Sequence, residues 1–520
     1  MLSKEPRSAR LAVVFVLSLV YLLFQVPLLD RVPAIAVDEP WYGNTAYNLA
    51  TGRGLINTNV GAMGGDRFFL YPLVVASAFK VLGASLWLGR LVSVLLGLVA
   101  LWGWILVCRR LDIRGSLLVI TAGLFISSSV SFILFRRLRP EALVITLSVW
   151  TVLFFIEAWE SVRATPALGC ALLGGASAMA HPNGVILPAL VAIALVARAL
   201  YRRCGKPLLG YAIGGTGILV VFSMGLGLFK NQSLLQFAES LSRSNRLSLA
   251  DGNVFSAFWS NLTTFVPSYA LGFKRGFILV FEVGILILGV LRYRRDQLAA
   301  LIGGVGLLWF VLGLALLTPF FGWAFCVVVI CSLAVTGRIL RSEPLYVGFM
   351  RPATILWMLT LLYAVNSLAG DVYAFRLHAI NTPYSRIART LDSAVVDAAP
   401  VVTHLELWFA FQRNPIYTQY TRWFSTSYTG LDDLLDSGDV RYAVLSASLA
   451  RGVSSTTGEH KALPAETEKA RRFYELVHSY ARMHGRRIAT IHTRGYGDIE
   501  IWECERQLAK QQVSQLPSSF

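Results

Sequence analysis

Charge is scarce in this 520-residue chain: Asp, Glu, Lys and Arg together make up 15% of it, against about 25% in an ordinary soluble domain. The 55% of residues that are hydrophobic, at a mean hydropathy of +0.58, have no polar surface large enough to cover them in water. Cysteine is sparse too. Cys108, Cys170, Cys204, Cys326, Cys331 and Cys504 form no CxxC pair and no metal-ligand spacing, and Cys504 has no second cysteine in the C-terminal segment to pair with. No Walker motif, zinc set or Ser-His-Asp order occurs, so ATP is not an expected energy source for this chain. The clusters Gly214-Gly215-Thr216-Gly217 and Gly303-Gly304-Val305-Gly306 follow no strand and read as helix-packing glycines, not nucleotide loops. No repeat of fixed period is visible.

What the chain does have is long apolar blocks, at 11–29, 86–108, 115–135, 141–159, 166–180, 184–200, 207–229, 276–291, 298–317, 320–335 and 352–369. Such blocks suit a helix that crosses about 30 Å of hydrocarbon with its amides bonded internally, which predicts about eleven spans. Ala34-Ile35-Ala36 after the first block imitates a signal-peptide cleavage site, but the block is too long for one and many further spans follow.

Lys plus Arg outnumber Asp plus Glu by 47 to 30, for a net charge of +17. In a soluble chain that balance would raise nucleic-acid binding; here most of the surplus sits between apolar blocks, and no nucleic-acid partner is expected. With a cytoplasmic amino terminus, Arg109, Arg110, Arg114, Arg163, Arg198, Arg202, Arg203, Lys206, Arg292, Arg294, Arg295, Arg338, Arg341 and Arg351 all fall on the cytoplasmic side. An odd span count then puts 371–520 outside. The expected organisation is a transmembrane domain over 1–370 and an extracytoplasmic α/β domain over 371–520. In the latter, 401–405, 442–445, 488–493 and 499–503 read as strands and 465–483 as a helix. Loops are expected at 454–458 and 460–464, and disorder over the last dozen residues.

Two connections on the external side are long, 30–85 and 230–275. In the first, 42–50 and the Pro72-containing stretch 68–82 read as interfacial helices. The second carries Phe258, Trp259, Phe265 and Tyr269.

Chemistry-bearing residues gather on that same side. Asp38 and Glu39 stand just beyond the first block; they are either a reactive carboxylate pair or an acidic helix start. Arg136, Arg137 and Arg139, with Glu141 beside them, occupy a short external connection against the positive-inside rule. They form either a snorkelling cluster or a site for an anionic head group, which guanidinium matches bidentately. His181-Pro182-Asn183-Gly184 is a tight-turn signal with one of only seven histidines at its start. Arg67 heads the stretch 68–82, as an ordinary interfacial cation or as a phosphate ligand.

This arrangement resembles the GT-C membrane glycosyltransferases that use polyprenyl-phosphate sugars, among them protein O-mannosyltransferases, lipid A aminoarabinose transferases and bacterial galacturonosyltransferases. The resemblance covers 11–275; 276–370 and the tail match in layout only. It rests on Asp38-Glu39-Pro40-Trp41-Tyr42 directly after the first helix, on Arg139-Pro140-Glu141 between the third and fourth, on Arg67 before Phe68-Phe69-Leu70-Tyr71-Pro72, and on the His181 turn. At the Arg67 position the family more often has Lys and a second Pro.

The resemblance implies Asp38 as base or positioning group for the acceptor, with Glu39 and Glu141 in support. It implies Arg67, Arg136, Arg137, Arg139 and His181 as ligands of donor phosphate and sugar. The implied reaction moves a sugar from a polyprenyl-phosphate donor to an extracytoplasmic lipid, glycan or protein acceptor, with inversion at the anomeric carbon, in a bacterial inner membrane. No cofactor is expected; some relatives bind a metal, but no ligand set stands out beyond the shared acids. The competing classes are a lipid or solute transporter, for which Glu282 would be the chief intramembrane acid, and a membrane anchor for an active tail.

Overall fold

The computed structural model describes residues 7–58, 68–242, 254–267, 273–316, 326–342, 352–419, 431–450 and 464–504. Arg67, Tyr269, the loop 454–463 and the last dozen residues lie outside the described residues. Two compact units divide the chain. One comprises 1–27, 67–71 and 91–373, the other 28–66, 72–90 and 374–520. The second unit thus unites most of the first long connection with the C-terminal segment, a grouping the sequence pattern does not disclose.

The first unit is helical. Seven helical stretches of the described chain are long and apolar enough to cross a membrane: Ser8–Gln25, Leu86–Arg110, Glu141–Glu160, Pro182–Arg202, Lys206–Phe229, Gln297–Leu316 and Ala353–Ala394, the last interrupted between Ala379 and Tyr384. The pair Gly115–Ser127 and Ser129–Phe135 makes an eighth if its 56° bend is counted within one span. That bend has a local cause: Ser128 adopts ψ 129°, leaving the helix, and its hydroxyl accepts from the Ser131 amide at 3.2 Å to cap the next one. The helices Ala164–Ala180 and Cys326–Ser342 reach only 17 residues, and Phe273–Leu291 carries Lys274, Arg275 and Glu282. Each apolar block is therefore helical over most of its described residues, the first ending at Gln25 and the third broken at Ser128, while the length and composition of these last three helices leave the predicted count of about eleven spans unconfirmed.

Gly214 and Gly303 pack against neighbouring helices, while Gly215, Gly217 and Gly304 have open space at the Cβ position. A Cβ at Gly214 would stand 2.8 Å from the Leu168 carbonyl oxygen, and one at Gly303 2.7 Å from that of Leu286. Only a bare backbone permits such close helix contact.

In the second unit, the helix Asp38–Ala50 begins earlier than the pattern predicted, with both acids in its first turn, and Gly52 and Gly54 follow it at φ +79° and +89°. Pro72 does not interrupt the next helix. Leu70–Leu82 starts two residues before it, where a missing amide hydrogen costs nothing. The helix Pro352–Ala379 runs through Gly370-Asp371, where charge begins to rise, and the units divide at Tyr373.

Five strands form one sheet: β1 Val401–Thr403, β2 Ile416–Tyr417, β3 Tyr442–Ser446, β4 Gly485–Thr493 and β5 Gly497–Cys504. Their order is β2-β1-β3-β5-β4, parallel across the first three and antiparallel across the last three. The amphipathic helix Pro464–His484 lays Phe473, Val477, Tyr480 and Ala481 against Val402, Ala443 and Leu445 of the sheet. Cys504 is a buried free thiol in that core.

Candidate active site

In the helical unit, Glu141 opens its helix at 1% exposure. A buried carboxylate needs a paired cation, and Arg139 supplies it two residues away, donating from Nε at 3.1 Å and from Nη2 at 2.9 Å. Pro140 between them sets the tight turn that brings the two side chains together. His181 is within electrostatic reach of Glu141. The His181 backbone leaves the helix Ala164–Ala180, its Nδ1 accepts from the Asn183 amide at 3.3 Å, and its ring lies 6.4 Å from that of Phe68.

Gly184 makes this turn possible. A Cβ there would fall 2.1 Å from the Ser177 carbonyl oxygen. Gly184→Ala is accordingly expected to cost about 1–3 kcal/mol by overpacking and to displace His181, read as a lowered midpoint in thermal unfolding of the purified protein.

Arg136 has a task the sequence did not predict. Its guanidinium is fully buried, donates to the carbonyls of Phe24, Gln25 and Pro27, and lies 5.2 Å from the Phe132 ring centroid. It closes the open C-terminal end of the first helix, where carbonyls lack helical partners and a cation is favoured. Arg137, 2% exposed, lies beside it.

In the second unit, Glu39 is fully buried and held bidentately by Arg90: Nε to Oε1 at 2.8 Å, Nη2 to Oε2 at 2.7 Å. Oε2 also accepts from the Ala36 amide at 2.9 Å. Arg90 Nη1 donates to the carbonyls of Leu29 at 2.8 Å and Pro33 at 2.9 Å. Glu39 therefore anchors the segment 29–39. Asp38, half-buried beside it, is the carboxylate presented on this helix start. Asn44 and Asn48, both buried, clamp the return segment: Asn44 Nδ2 donates to Thr58 Oγ1 at 2.8 Å, and Asn48 Nδ2 to the Ile56 carbonyl at 3.2 Å.

A further acid, which the sequence reading did not single out, belongs with Asp38. Glu406 sits on the 3-10 turn Leu405–Ala410, and that turn packs on the helix Asp38–Ala50 through the Trp408 and Tyr47 rings, 5.9 Å apart. It is 6% exposed, and its Oε2 has no hydrogen-bond partner among the described residues. Burial pushes the Glu406 carboxyl up to about 7, with the negative charge of Asp38 adding to the effect. The sign of the consequence follows from proton binding. Between about pH 4.3, the unfolded value, and 7 the folded protein holds the extra proton, so stability falls as pH rises through that window. Wild type is expected to lose about 3 kcal/mol more than Glu406→Gln between pH 4 and 8, seen as a steeper fall in thermal midpoint.

Among the described residues no group of three or more His, Cys, Asp or Glu side chains could hold a metal ion. Glu282, 2% exposed, accepts from the Tyr363 hydroxyl at 2.9 Å, a helix-to-helix bond.

Residues 66–226 match the sequence profile of the family described as dolichyl-phosphate-mannose-protein mannosyltransferase. No curated protein sequence matches the chain. In fold, the chain is similar to ArnT from Cupriavidus metallidurans bound to undecaprenyl phosphate, at TM-score 0.62 and 14% identity over 97% of this chain and 99% of that one. It is also similar to the Archaeoglobus fulgidus oligosaccharyltransferase tethered to an acceptor peptide, at TM-score 0.54 and 10% identity over 97% and 74% of the two chains. The mycobacterial arabinofuranosyltransferase AftD gives TM-score 0.54 and 15% identity over 97% of this chain and 42% of its own. The fold is thus that of the GT-C glycosyltransferases, and the resemblance drawn from the sequence stands.

Proposed function

We propose that the protein is an integral membrane glycosyltransferase that moves a sugar from a polyprenyl-phosphate donor to an acceptor outside the cytoplasm. The observation that carries this reading is the setting of Asp38, half-buried at a helix start whose neighbouring acid is locked by Arg90. The mannosyltransferase profile over 66–226 supports the donor class, and the likeness to ArnT, a structure that contains undecaprenyl phosphate, supports the lipid carrier.

In this mechanism the acceptor hydroxyl attacks the anomeric carbon, and Asp38 takes its proton. The bond from that carbon to the phosphate oxygen breaks, and its electron pair leaves with the polyprenyl phosphate. Attack opposite the leaving group inverts the configuration. Arg137 and Arg139, with Arg67, serve the donor phosphate, whose charge grows as it departs; Glu141 and His181 serve the sugar. The shorter apolar helices complete a bundle of about eleven spans. A transmembrane domain over 1–370 carries the reaction, and 371–520, with the loop 230–275, selects a lipid, lipopolysaccharide or protein acceptor on the periplasmic side of a bacterial inner membrane. The test is transfer of label from a panel of radiolabelled polyprenyl-phosphate sugars to cell-envelope lipids and proteins by the purified chain. Labelled acceptor is the expected product, and its absence with every donor would defeat the reading.

A further inference from the structure

At the other end of the helical unit, three helices meet around a cavity of about 440 Å³ lined by Arg292, Arg295, Asp296, Arg338, Arg341 and Ser342. One wall is fixed. Asp296 caps the helix Gln297–Leu316, accepting from the Ala299 amide at 3.1 Å, and receives Arg338 Nε at 2.7 Å, while Arg338 Nη1 donates to the Leu111 carbonyl at 3.0 Å. The remaining wall is more exposed. Arg341 meets Asp112 at 3.2 Å with both side chains over 40% exposed, Arg292 donates to Ser342 Oγ at 3.0 Å, and Arg295 is exposed at the mouth. Among the described residues, four cavity guanidinium groups stand with the two carboxylates of Asp296 and Asp112, the second of which also pairs with Arg114 at 2.8 Å. The surplus of positive charge faces an open cavity, not bulk water alone.

The flank of this cavity is apolar. Ile287, Leu288 and Leu291, on the last turns of the helix Phe273–Leu291, are 45%, 37% and 76% exposed, and Tyr293 beside them is 61% exposed. Tyrosine at the end of an apolar helix marks the level of lipid head groups. A ligand that fills both surfaces carries phosphate oxygens at one end and acyl chains at the other.

We infer that this cavity binds the phosphodiester head group of an anionic membrane lipid, at the helix ends that the charge pattern assigns to the cytoplasm. Guanidinium meets phosphate bidentately, and basic pockets between membrane helices suit such head groups. The site is separate from the proposed transfer reaction and does not depend on it.

The test uses the delipidated full chain in detergent, titrated with phosphatidylglycerol, cardiolipin, phosphatidylcholine or inorganic pyrophosphate and read by native mass spectrometry. Wild type is expected to retain phosphatidylglycerol and cardiolipin over phosphatidylcholine. Arg295→Gln/Arg341→Gln, which leaves the Asp296 and Arg338 wall intact, is expected to weaken that retention roughly tenfold or more. Arg202→Gln/Arg203→Gln, the same charge loss at a helix end outside the cavity, is expected to leave it unchanged. Equal retention of phosphatidylcholine, or equal loss in the two double variants, would show surface attraction without a site and overturn the inference. Arginine-dependent binding of pyrophosphate with no lipid preference would also overturn it, assigning the cavity to a free phosphate compound. A thermal midpoint within the wild-type range for both variants excludes misfolding as the cause of any loss.

Discussion

Replacing Arg90 with Gln should lower the stability of the protein by about 3–5 kcal/mol, because it leaves the Glu39 carboxylate buried without a cation. Arg90 and Glu39 are both fully inaccessible, and Arg90 Nη1 is bonded to the carbonyls of Leu29 and Pro33. The same change frees those two carbonyls and the 29–39 segment they shape. Glu39→Gln should cost less than Arg90→Gln, because a neutral amide can still accept from the Ala36 amide and from one guanidinium nitrogen. The double variant Glu39→Gln/Arg90→Gln should recover part of the loss, since neither partner then leaves a lone buried charge. Thermal unfolding of the four proteins in one detergent measures this cycle. Additive losses with no recovery would mean that the pair does not act as a unit.

Asp38→Asn should reduce sugar transfer by about 10²–10⁴-fold while leaving donor binding intact. The amide keeps the size of the side chain and its place in the first helical turn but cannot take the acceptor proton. Because Glu39 holds the helix start through Arg90, the substitution should not disturb the fold. One readout separates base catalysis from mere positioning: the turnover number should fall with little change in donor affinity. Asp38→Glu, which restores a proton acceptor at a shifted position, should recover part of the rate.

Much of the layout could be read from residue order. The apolar blocks are helical, and β1, β3, β4 and β5 overlap the predicted strands, because both signals are local: an unbroken apolar run and a short alternating or β-branched run. β2 was not seen, as two residues at Ile416–Tyr417 carry no period. Pro72 reads as an interruption because its spacing says nothing about whether it sits in a helix's first turn or its middle. The site divides in the same way. Asp38, Glu141 and His181 are proposed from type and position relative to the apolar blocks. The bonds of Arg136 to the end carbonyls of the first helix are not legible, because those carbonyls lie more than 100 residues away in sequence. Arg90 had one signal that could have found it, a lone cation inside the block 86–108, since a charge within an apolar run needs a buried partner. Glu406 had none: nothing in Leu405-Glu406-Leu407-Trp408 says that the turn packs on the Asp38 helix.

The most direct test of the account is the fate of a doubly labelled donor, a polyprenyl-phosphate sugar carrying one isotope in the sugar and another in the phosphate, in proteoliposomes of the purified chain with envelope lipids. The account predicts that the labels separate, the sugar appearing in acceptor and the phosphate staying with the polyprenol, and that Asp38→Asn prevents the separation. Movement of both labels together across the bilayer, with the donor chemically intact, would contradict it and identify a lipid carrier.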